Sequence, residues 1–226
     1  MRFLKEREQI VEYGKKMSAA GLSKGTSGNL SIYIPSEGLM VISPSGVGYF
    51  ETTPEDVVVM DLEGNVVEGN CKPSSEFGLH SAFYKNRSDV QAVVHTHSTY
   101  CTTFACLRKP ISAVHYVIAS AATDEVQCSD YATFGTEELA ENVIGTCGKA
   151  NAVLLANHGL VTCGVNMAKA FGLASNMEFV AEMQWRTLSV GTPVVLPEDE
   201  IANVMERFKS YGQPKKVQEA GAPGGY

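Results

Sequence analysis

Helix-type and strand-type segments alternate along this chain, and the alternation restricts its fold more than any other feature. Residues 90–96 form an apolar, β-branched run that is typical of a buried strand. Further strand patterns lie at residues 30–34, 39–43, 57–62, 66–67, 153–156 and 160–163, and helical patterns at 4–20, 77–84, 136–147, 166–188 and 198–210. This interleaving predicts an α/β fold, in which helices cover a mixed or antiparallel sheet.

The length of 226 residues fits one large domain, and no linker or internal repeat divides it. We expect the domain to span residues 1–213. Residues 214–226, rich in Gly, Pro, Ala and Lys, are expected to form a flexible tail. The formal net charge of −7 argues against a nucleic-acid partner, because such proteins are usually basic.

The sequence favours a cytoplasmic location and no membrane partner. Apolar runs all fall short of the roughly 18–20 residues that a membrane span needs, and the N-terminus has mixed charges rather than an apolar signal core. The six cysteines form no CxxC pair, which favours reduced, buried thiols.

Two histidines at the end of the 90–96 run are the strongest chemical feature. His95 and His97 are two residues apart, so on a strand they share a face and can reach one point. Such a pair is half of a zinc site or, about equally, two solvated side chains at a strand end. His158, in the turn Asn157-His158-Gly159, can supply a third ligand. Three histidines and a carboxylate would make a catalytic zinc site with a position left for substrate.

The carboxylate candidate is Glu76, in the first turn of a predicted helix that Ser74 or Ser75 would cap. From its position alone, the simplest interpretation is an acid that complements the helix dipole. His80 lies four residues further on the same face and is expected to have a structural or supporting role.

Three serine-containing loops, at residues 25–29, 43–46 and 74–75, could hold an anion. The glycines of the first two let backbone N–H groups approach a ligand closely, and the last loop stands at a helix N-terminus. Each loop alone is weak support, since such loops are usually turns, but three beside a candidate metal site strengthen the prediction of a site for an oxyanion or phosphate.

Taken together, these segments resemble the class II aldolase family, and within it the L-fuculose-1-phosphate aldolases, from about residue 5 to residue 212. The matching motifs are GTSGNLS at 25–31, SPSG at 43–46, KPSSE at 72–76, AVVHTH at 92–97, AVHY at 113–116, YATFGT at 131–136, NHGL at 157–160 and FKSYG at 208–212. The resemblance implies a central, largely antiparallel sheet layered with helices, in a four-fold homotetramer with active sites at subunit interfaces.

The resemblance also implies roles for individual residues. His95, His97 and His158 match zinc ligands, and Glu76 matches a catalytic carboxylate that can also bind the metal. A phosphate pocket is matched by Thr26, Gly28, Asn29, Ser45, Gly46, Ser74 and Ser75. Tyr116 matches a catalytic tyrosine that reaches in from a neighbouring subunit, and Phe134 and Tyr211 match residues lining the aldehyde side.

The implied reaction is reversible cleavage of a ketose 1-phosphate, L-fuculose 1-phosphate first, to dihydroxyacetone phosphate and a short aldehyde such as L-lactaldehyde. 5-Deoxyribulose 1-phosphate or a methylthio analogue would suit the same site. The related 4-epimerases have Asp where Glu76 stands and are disfavoured. A methylthioribulose-1-phosphate dehydratase remains the alternative enzyme, and an adducin-like interaction module without chemistry is the alternative outside enzymes.

Overall fold

The computed structural model describes residues 1–210. Tyr211 and the predicted tail at 214–226 lie outside the described residues, as does the expected domain end at residue 213. The helices are α1 (Leu4–Ala19), α2 (Phe77–Asn86), α3 (Thr99–Leu107), α4 (Glu137–Cys147), α5 (Met167–Val190) and α6 (Glu198–Ser210), with a 3-10 helix at Tyr116–Ala121. The strands are β1 (Asn29–Ile34), β2 (Leu39–Ile42), β3 (Val58–Asp61), β4 (Val66–Glu68), β5 (Ala92–Thr96), β6 (Ile111–Ser112), β7 (Glu125–Val126), β8 (Cys128–Ser129), β9 (Ala152–Leu155) and β10 (Gly159–Gly164).

Eight of these strands form one sheet in the order β4-β3-β2-β1-β5-β10-β9-β8. All neighbours are antiparallel except β8 and β9, which are parallel, and β6 and β7 form a separate small sheet. The prediction of a largely antiparallel α/β sheet is therefore confirmed. Strand β5 lies between β1 and β10, and this register places His95 opposite Asn29 on one side and Val161 on the other.

Helices cover both faces of the sheet, as the continuous apolar run of β5 requires. Val94 packs into one core cluster and its neighbour Val93 into another, because successive side chains point to opposite faces. The Val94 cluster includes Ile10 of α1, Phe104 of α3, Met177 of α5 and Ile201 of α6. The Val93 cluster includes Phe83 of α2 and Val143 of α4. The side chain of His95, two residues after Val93 on β5, points to the same face of the sheet as Val93, toward α2.

Two helix ends follow local sequence signals. Helix α1 ends in a Schellman motif, in which Gly21 adopts φ +71° and the Leu22 N–H bonds the Met17 carbonyl at 3.0 Å. Helix α4 begins at the predicted cap, where the Thr136 side chain accepts from the Leu139 N–H.

The predicted cap of α2 is wrong. Glu76, not Ser74 or Ser75, occupies the N-cap position, and no side-chain hydrogen bond caps the helix. Ser74 is held outside the helix because its N–H donates to the Ser43 carbonyl at 3.1 Å. The Glu76 carboxylate is consequently available for contacts beyond its own helix.

Helix α3 is not predicted by the sequence. Its N-terminal N–H groups at Tyr100 and Cys101 donate to the Glu178 carboxylate on α5, at 2.8 and 2.9 Å. Such a cap, 77 or 78 residues away in sequence, leaves no local signal. Within residues 1–210, no helix combines the length and apolar character needed to cross a bilayer.

Candidate active site

Three imidazoles from two parts of the chain meet at one end of the sheet. His95 is on β5, His97 follows that strand, and His158 lies in the turn between β9 and β10. The His95 Nε2 atom is 3.0 Å from Nε2 of His97 and 3.2 Å from Nε2 of His158. The convergence predicted from the HxH spacing and the Asn157-His158-Gly159 turn is therefore present in the structure.

A backbone contact sets the tautomer of His95. Its Nδ1 lies 3.0 Å from the Leu160 carbonyl oxygen, which can only accept a hydrogen bond. Nδ1 therefore bears the proton, and Nε2 presents a lone pair to the other two rings. This is the arrangement by which protein metal sites orient a histidine ligand.

The three rings are suited to be neutral ligands. Burial, and then the facing rings of His158 and His97, hold the pKa of His95 well below its usual range. Burial also lowers the pKa of His97 and of His158. Protons therefore compete weakly for these nitrogens at neutral pH.

Glycine at position 159 allows the rings to approach so closely. A Cβ built on Gly159 would lie 2.3 Å from the Thr96 carbonyl oxygen and 3.1 Å from Cδ2 of His97. The preceding turn contains Asn157 at φ +55°, a left-handed conformation that Asn tolerates better than most residues. Arg108 donates to the Asn157 side-chain oxygen at 3.0 Å.

Glu76 completes the cluster from the α2 side of the sheet. Its Oε2 lies 3.4 Å from Nε2 of His95, and its Oε1 lies 3.5 Å from Nε2 of His158. The Asn29 amide donates to Oε2 at 2.9 Å. Oε1 is buried without a hydrogen-bond partner among the described residues, and such a group is costly unless a ligand satisfies it.

These donors fit a divalent metal ion. A tetrahedral zinc ion with nitrogen ligands separates neighbouring donors by about 3.3 Å, which is close to the His–His and His–Glu76 separations above. A cation would also bind the Nε2 lone pair of His95 and satisfy the buried oxygen of Glu76. His95, His97, His158 and Glu76 are the residues that could hold it.

A cavity of about 370 Å³ opens beside this cluster, and the three predicted anion-binding loops line it. Every residue predicted for the phosphate pocket lines this cavity: Thr26, Gly28, Asn29, Ser45, Gly46, Ser74 and Ser75. Glu76, His97 and His158 share the same walls. The structure thus brings the candidate metal cluster and the candidate phosphate loops into one space.

Tyr49 holds the first of these loops in place. Its buried hydroxyl donates to the Gly28 carbonyl at 2.7 Å, with a longer contact of 3.2 Å to the Ser27 carbonyl. Gly28 is itself constrained to be glycine, because it adopts φ +76° and a Cβ there would lie 2.5 Å from Ser23 Oγ. Burial raises the pKa of the Tyr49 phenol, which keeps it a proton donor.

The mouth of the cavity is aromatic. Phe134, predicted for the aldehyde side, lines the cavity with its side chain largely exposed. Tyr131 and Asn157 also line the cavity, although neither is a predicted site residue. Their only signal was membership of the YATFGT and NHGL motifs.

Tyr116 is not in this cavity. It is half-exposed at the start of the 3-10 helix, beside His115 and 6.3 Å from the Phe208 ring, and lines a separate cavity of about 870 Å³. Within one chain the structure therefore does not unite Tyr116 with the histidines. Tyr211, the other predicted aldehyde-side residue, lies outside the described residues.

His80 lies behind Glu76 and is completely buried. Its Nε2 is 2.5 Å from the Asn29 side-chain oxygen, and its Nδ1 is 2.6 Å from Ser31 Oγ. Burial lowers the pKa of His80 to about 3, so this ring is neutral as well. His80 is not among the described residues that line the cavity or form the histidine cluster, so its predicted structural or supporting role stays a prediction.

Comparison with known proteins identifies the family of this chain. The family model described as Class II Aldolase and Adducin N-terminal domain matches residues 8–185. A 5-deoxy-D-ribulose 1-phosphate aldolase of Bacillus thuringiensis serovar kurstaki is 50% identical over 209 residues, which cover 92% of this chain and 98% of that protein. An L-fuculose phosphate aldolase of Escherichia coli O157:H7 is 43% identical over 205 residues, which cover 90% of this chain and 94% of that protein.

A solved structure supports the same family assignment. An L-fuculose 1-phosphate aldolase matches this fold with a TM-score of 0.89 and 43% sequence identity, over 91% of this chain and 96% of that one. The chain is therefore a member of the class II aldolase and adducin N-terminal domain family, and within it an enzyme, a lyase of the aldolase type.

Proposed function

We propose that this chain is a zinc-dependent aldolase that reversibly cleaves a deoxyketose 1-phosphate to dihydroxyacetone phosphate and a short aldehyde. One observation carries the proposal: the histidine cluster and Glu76 share a cavity with three anion-binding loops. In a ketose 1-phosphate the phosphate is on the carbon next to the carbonyl, so a suitable site needs both features side by side.

His95, His97 and His158 would hold the metal, with Glu76 as a further ligand when substrate is absent. Three imidazoles and a carboxylate, without thiolates, suit catalytic zinc better than magnesium or calcium, which prefer oxygen ligands. When bound, the ion would act as a Lewis acid that stabilises negative charge on the substrate oxygens.

The phosphate would be bound by neutral donors. None of the described residues lining the cavity is a lysine or arginine. The hydroxyls of Ser45, Ser74 and Ser75 and the N–H of Gly46 would supply the contacts, with Thr26, Gly28 and Asn29 nearby. The N-terminus of α2, which begins at Phe77, adds a favourable dipole.

Glu76 would move the proton at carbon 3. In cleavage, the bond between carbons 3 and 4 breaks, the hydroxyl on carbon 4 loses its proton as the aldehyde forms, and Glu76 gives a proton to carbon 3. In synthesis, Glu76 removes that proton as a general base. The hydrogen bond from Asn29 orients the carboxylate for both directions.

The proton on the aldehyde oxygen would be handled by Tyr116 of a neighbouring copy. Tyr116 lies outside the cavity of its own chain and is half-exposed, so a second copy could receive it. We therefore propose a homotetramer with active sites at its interfaces. Phe134, and Tyr211 beyond the described residues, would contact the aldehyde portion.

L-fuculose 1-phosphate and 5-deoxyribulose 1-phosphate are the two substrates to compare. The sequence motifs favour the first, and the 50% identity to a 5-deoxy-D-ribulose 1-phosphate aldolase favours the second. The two differ by one hydroxylated carbon, and in an apolar pocket such a small difference shifts specificity by only about 1–3 kcal/mol. A cytoplasmic location is proposed with this activity, and the six unpaired cysteines are consistent with a reducing compartment.

A cleavage panel tests the function. The purified protein is incubated with each deoxyketose 1-phosphate and with 5-methylthioribulose 1-phosphate, with and without a chelator, and dihydroxyacetone phosphate is assayed. We expect dihydroxyacetone phosphate from at least one substrate, and its loss with chelator. Loss of water from methylthioribulose 1-phosphate without dihydroxyacetone phosphate would instead establish the dehydratase, and no turnover with no bound metal would favour an adducin-like module.

A further inference from the structure

A continuous line of buried hydrogen bonds leads away from Glu76 into the core. Asn29 contacts Glu76, His80 contacts Asn29, and Ser31 contacts His80 at the distances given above. Ser31 Oγ lies 2.5 Å from the Tyr84 hydroxyl. The residues of this line are all at most 6% exposed, so solvent does not substitute for a lost member.

Starting from the Glu76 carboxylate, the donor and the acceptor of each hydrogen bond in this line can be assigned. The Glu76 carboxylate can only accept, so the Asn29 amide nitrogen faces it and the Asn29 oxygen faces His80. Nε2 of His80 must therefore donate to that oxygen. A neutral imidazole then has a bare Nδ1, so Ser31 donates to Nδ1 and accepts from the Tyr84 hydroxyl.

The alternative direction would place two acceptors in contact. If His80 had its proton on Nδ1, its bare Nε2 would face the Asn29 oxygen, and the amide would rotate to present its nitrogen to the ring. The Asn29 oxygen would then face the Glu76 carboxylate and repel it. The tautomer of His80 thus decides which end of Asn29 meets Glu76.

We propose that His80 is a positioning residue for the aldolase reaction: as the Nε2–H tautomer it fixes the Asn29 amide so that its N–H orients the Glu76 carboxylate. The inference rests on the proposed function for its kinetic consequence, and on the hydrogen bonds alone for its structural part. His80 itself neither lines the cavity nor belongs to the cluster of His95, His97 and His158.

Two substitutions of His80 separate positioning from simple packing. A glutamine amide reaches the place of Nε2 and can donate to Asn29, whereas an asparagine amide reaches only the place of Nδ1. We expect His80→Asn to lower kcat by about 10- to 100-fold, with a smaller rise in KM, and His80→Gln to recover most of that loss. Met has nearly the volume of Gln but no N–H donor, so a role in packing alone predicts equal kcat for His80→Gln and His80→Met. Equal values of kcat in those two variants would overturn the proposal.

A spectroscopic measurement tests the structural part without turnover. Long-range ¹H–¹⁵N NMR of the metal-loaded protein, with His80 assigned by its absence from His80→Gln, is expected to show a proton on Nε2 and a bare Nδ1. A proton on Nδ1 in the wild-type protein would overturn the proposal.

Ser31→Ala is the second variant if His80→Asn does not fold. It removes the group that holds Nδ1, while the Asn29 oxygen still keeps the proton on Nε2. We therefore expect the His80 ring to be held less firmly and kcat to fall about 10-fold. An unchanged kcat in this variant would count against the proposal. If the wild-type protein cleaves no ketose 1-phosphate, the proposed function fails, and the NMR result alone decides the inference.

Discussion

Gly159 and His97 are so close that one added methyl group would push into the imidazole. A Cβ on Gly159 would lie 3.1 Å from Cδ2 of His97, 3.3 Å from Cε1 of His95 and 2.3 Å from a backbone oxygen that cannot easily move. The metal cluster therefore depends on a residue that contributes no donor atom.

Gly159→Ala should consequently weaken metal binding by about 10- to 100-fold, by moving β10 and the ligand His158 relative to β5. Overpacking should also cost about 1–3 kcal/mol of stability. Metal titration of chelator-stripped protein measures the first effect and urea unfolding the second.

The matched control is Gly145→Ala on α4, where an added Cβ would meet nothing within 4 Å. It should bind metal normally and gain about 0.5–1 kcal/mol from helix propensity. Normal metal affinity in Gly159→Ala would show that the close approach is not needed.

Glu76→Gln should separate metal binding from proton transfer. The amide keeps the shape of the side chain but cannot serve as the acid and base at carbon 3. We expect kcat to fall by about 10²- to 10⁴-fold, while the three histidines retain the metal. Elemental analysis and steady-state kinetics check the two parts.

Glu138→Gln, at an acid in the first turn of α4, is the control and should keep its turnover. If Glu76→Gln cleaves substrate at the wild-type rate, Glu76 does not move the proton.

The buried histidines should make the metal-free protein acid-sensitive. Burial lowers the pKa of His80 to about 3 and holds that of His95 well below 6.5, whereas both titrate near 6.5 in the unfolded chain. Below about pH 6.5 the unfolded state therefore binds more protons, and the free energy of unfolding falls as pH falls. Each such ring contributes a slope of about 1.4 kcal/mol per pH unit until its folded pKa is reached.

Urea unfolding measures the contribution of His80 to this pH dependence. Chelator-stripped wild-type and His80→Gln proteins are compared between about pH 6.5 and about pH 5, at one fixed protein concentration. Averaged over this range, the variant should show a slope lower by about 1 kcal/mol per pH unit. Parallel pH profiles for the two proteins would mean that His80 is not held neutral by the fold.

Tyr49→Phe should loosen the phosphate-binding loop without changing the chemistry. The substitution removes the hydroxyl that holds the Gly28 carbonyl at 2.7 Å. Loss of about 1 kcal/mol corresponds to a roughly fivefold rise in KM with kcat unchanged. Inhibition by inorganic phosphate should weaken in parallel.

Tyr13→Phe is a suitable control, because the Tyr13 ring packs against Phe171, 5.3 Å away between ring centroids. It should leave KM unchanged. An unaltered KM in Tyr49→Phe would show that the loop is rigid without this hydroxyl.

Local patterns account for most of the fold. The apolar β-branched run at 90–96 contains β5, the turn around Gly64 separates β3 from β4, and Thr136 caps α4 as predicted. Helix α3 was missed because its cap comes from Glu178 on α5. The 3-10 helix at Tyr116–Ala121 was missed as well.

Only part of the site could be predicted from local patterns. Alternation along β5 was enough to bring His95 and His97 together, but nothing local shows that Glu76 meets His158, 82 positions later in the sequence. That contact depends on strand order, and only the family resemblance implied it. The line from Asn29 to Tyr84 was missed because it joins alternate residues of β1 to one face of α2.

A zinc titration of the chelator-stripped protein tests the central claim most directly. At each zinc concentration, the dihydroxyacetone phosphate released from L-fuculose 1-phosphate and from 5-deoxyribulose 1-phosphate is assayed. Cleavage should be absent without metal and should rise linearly until one zinc per chain is bound, and His158→Ala should fail to reach that plateau. Full cleavage by the stripped protein, or a plateau that His158→Ala reaches equally well, would contradict the assignment of these histidines as the metal site of an aldolase.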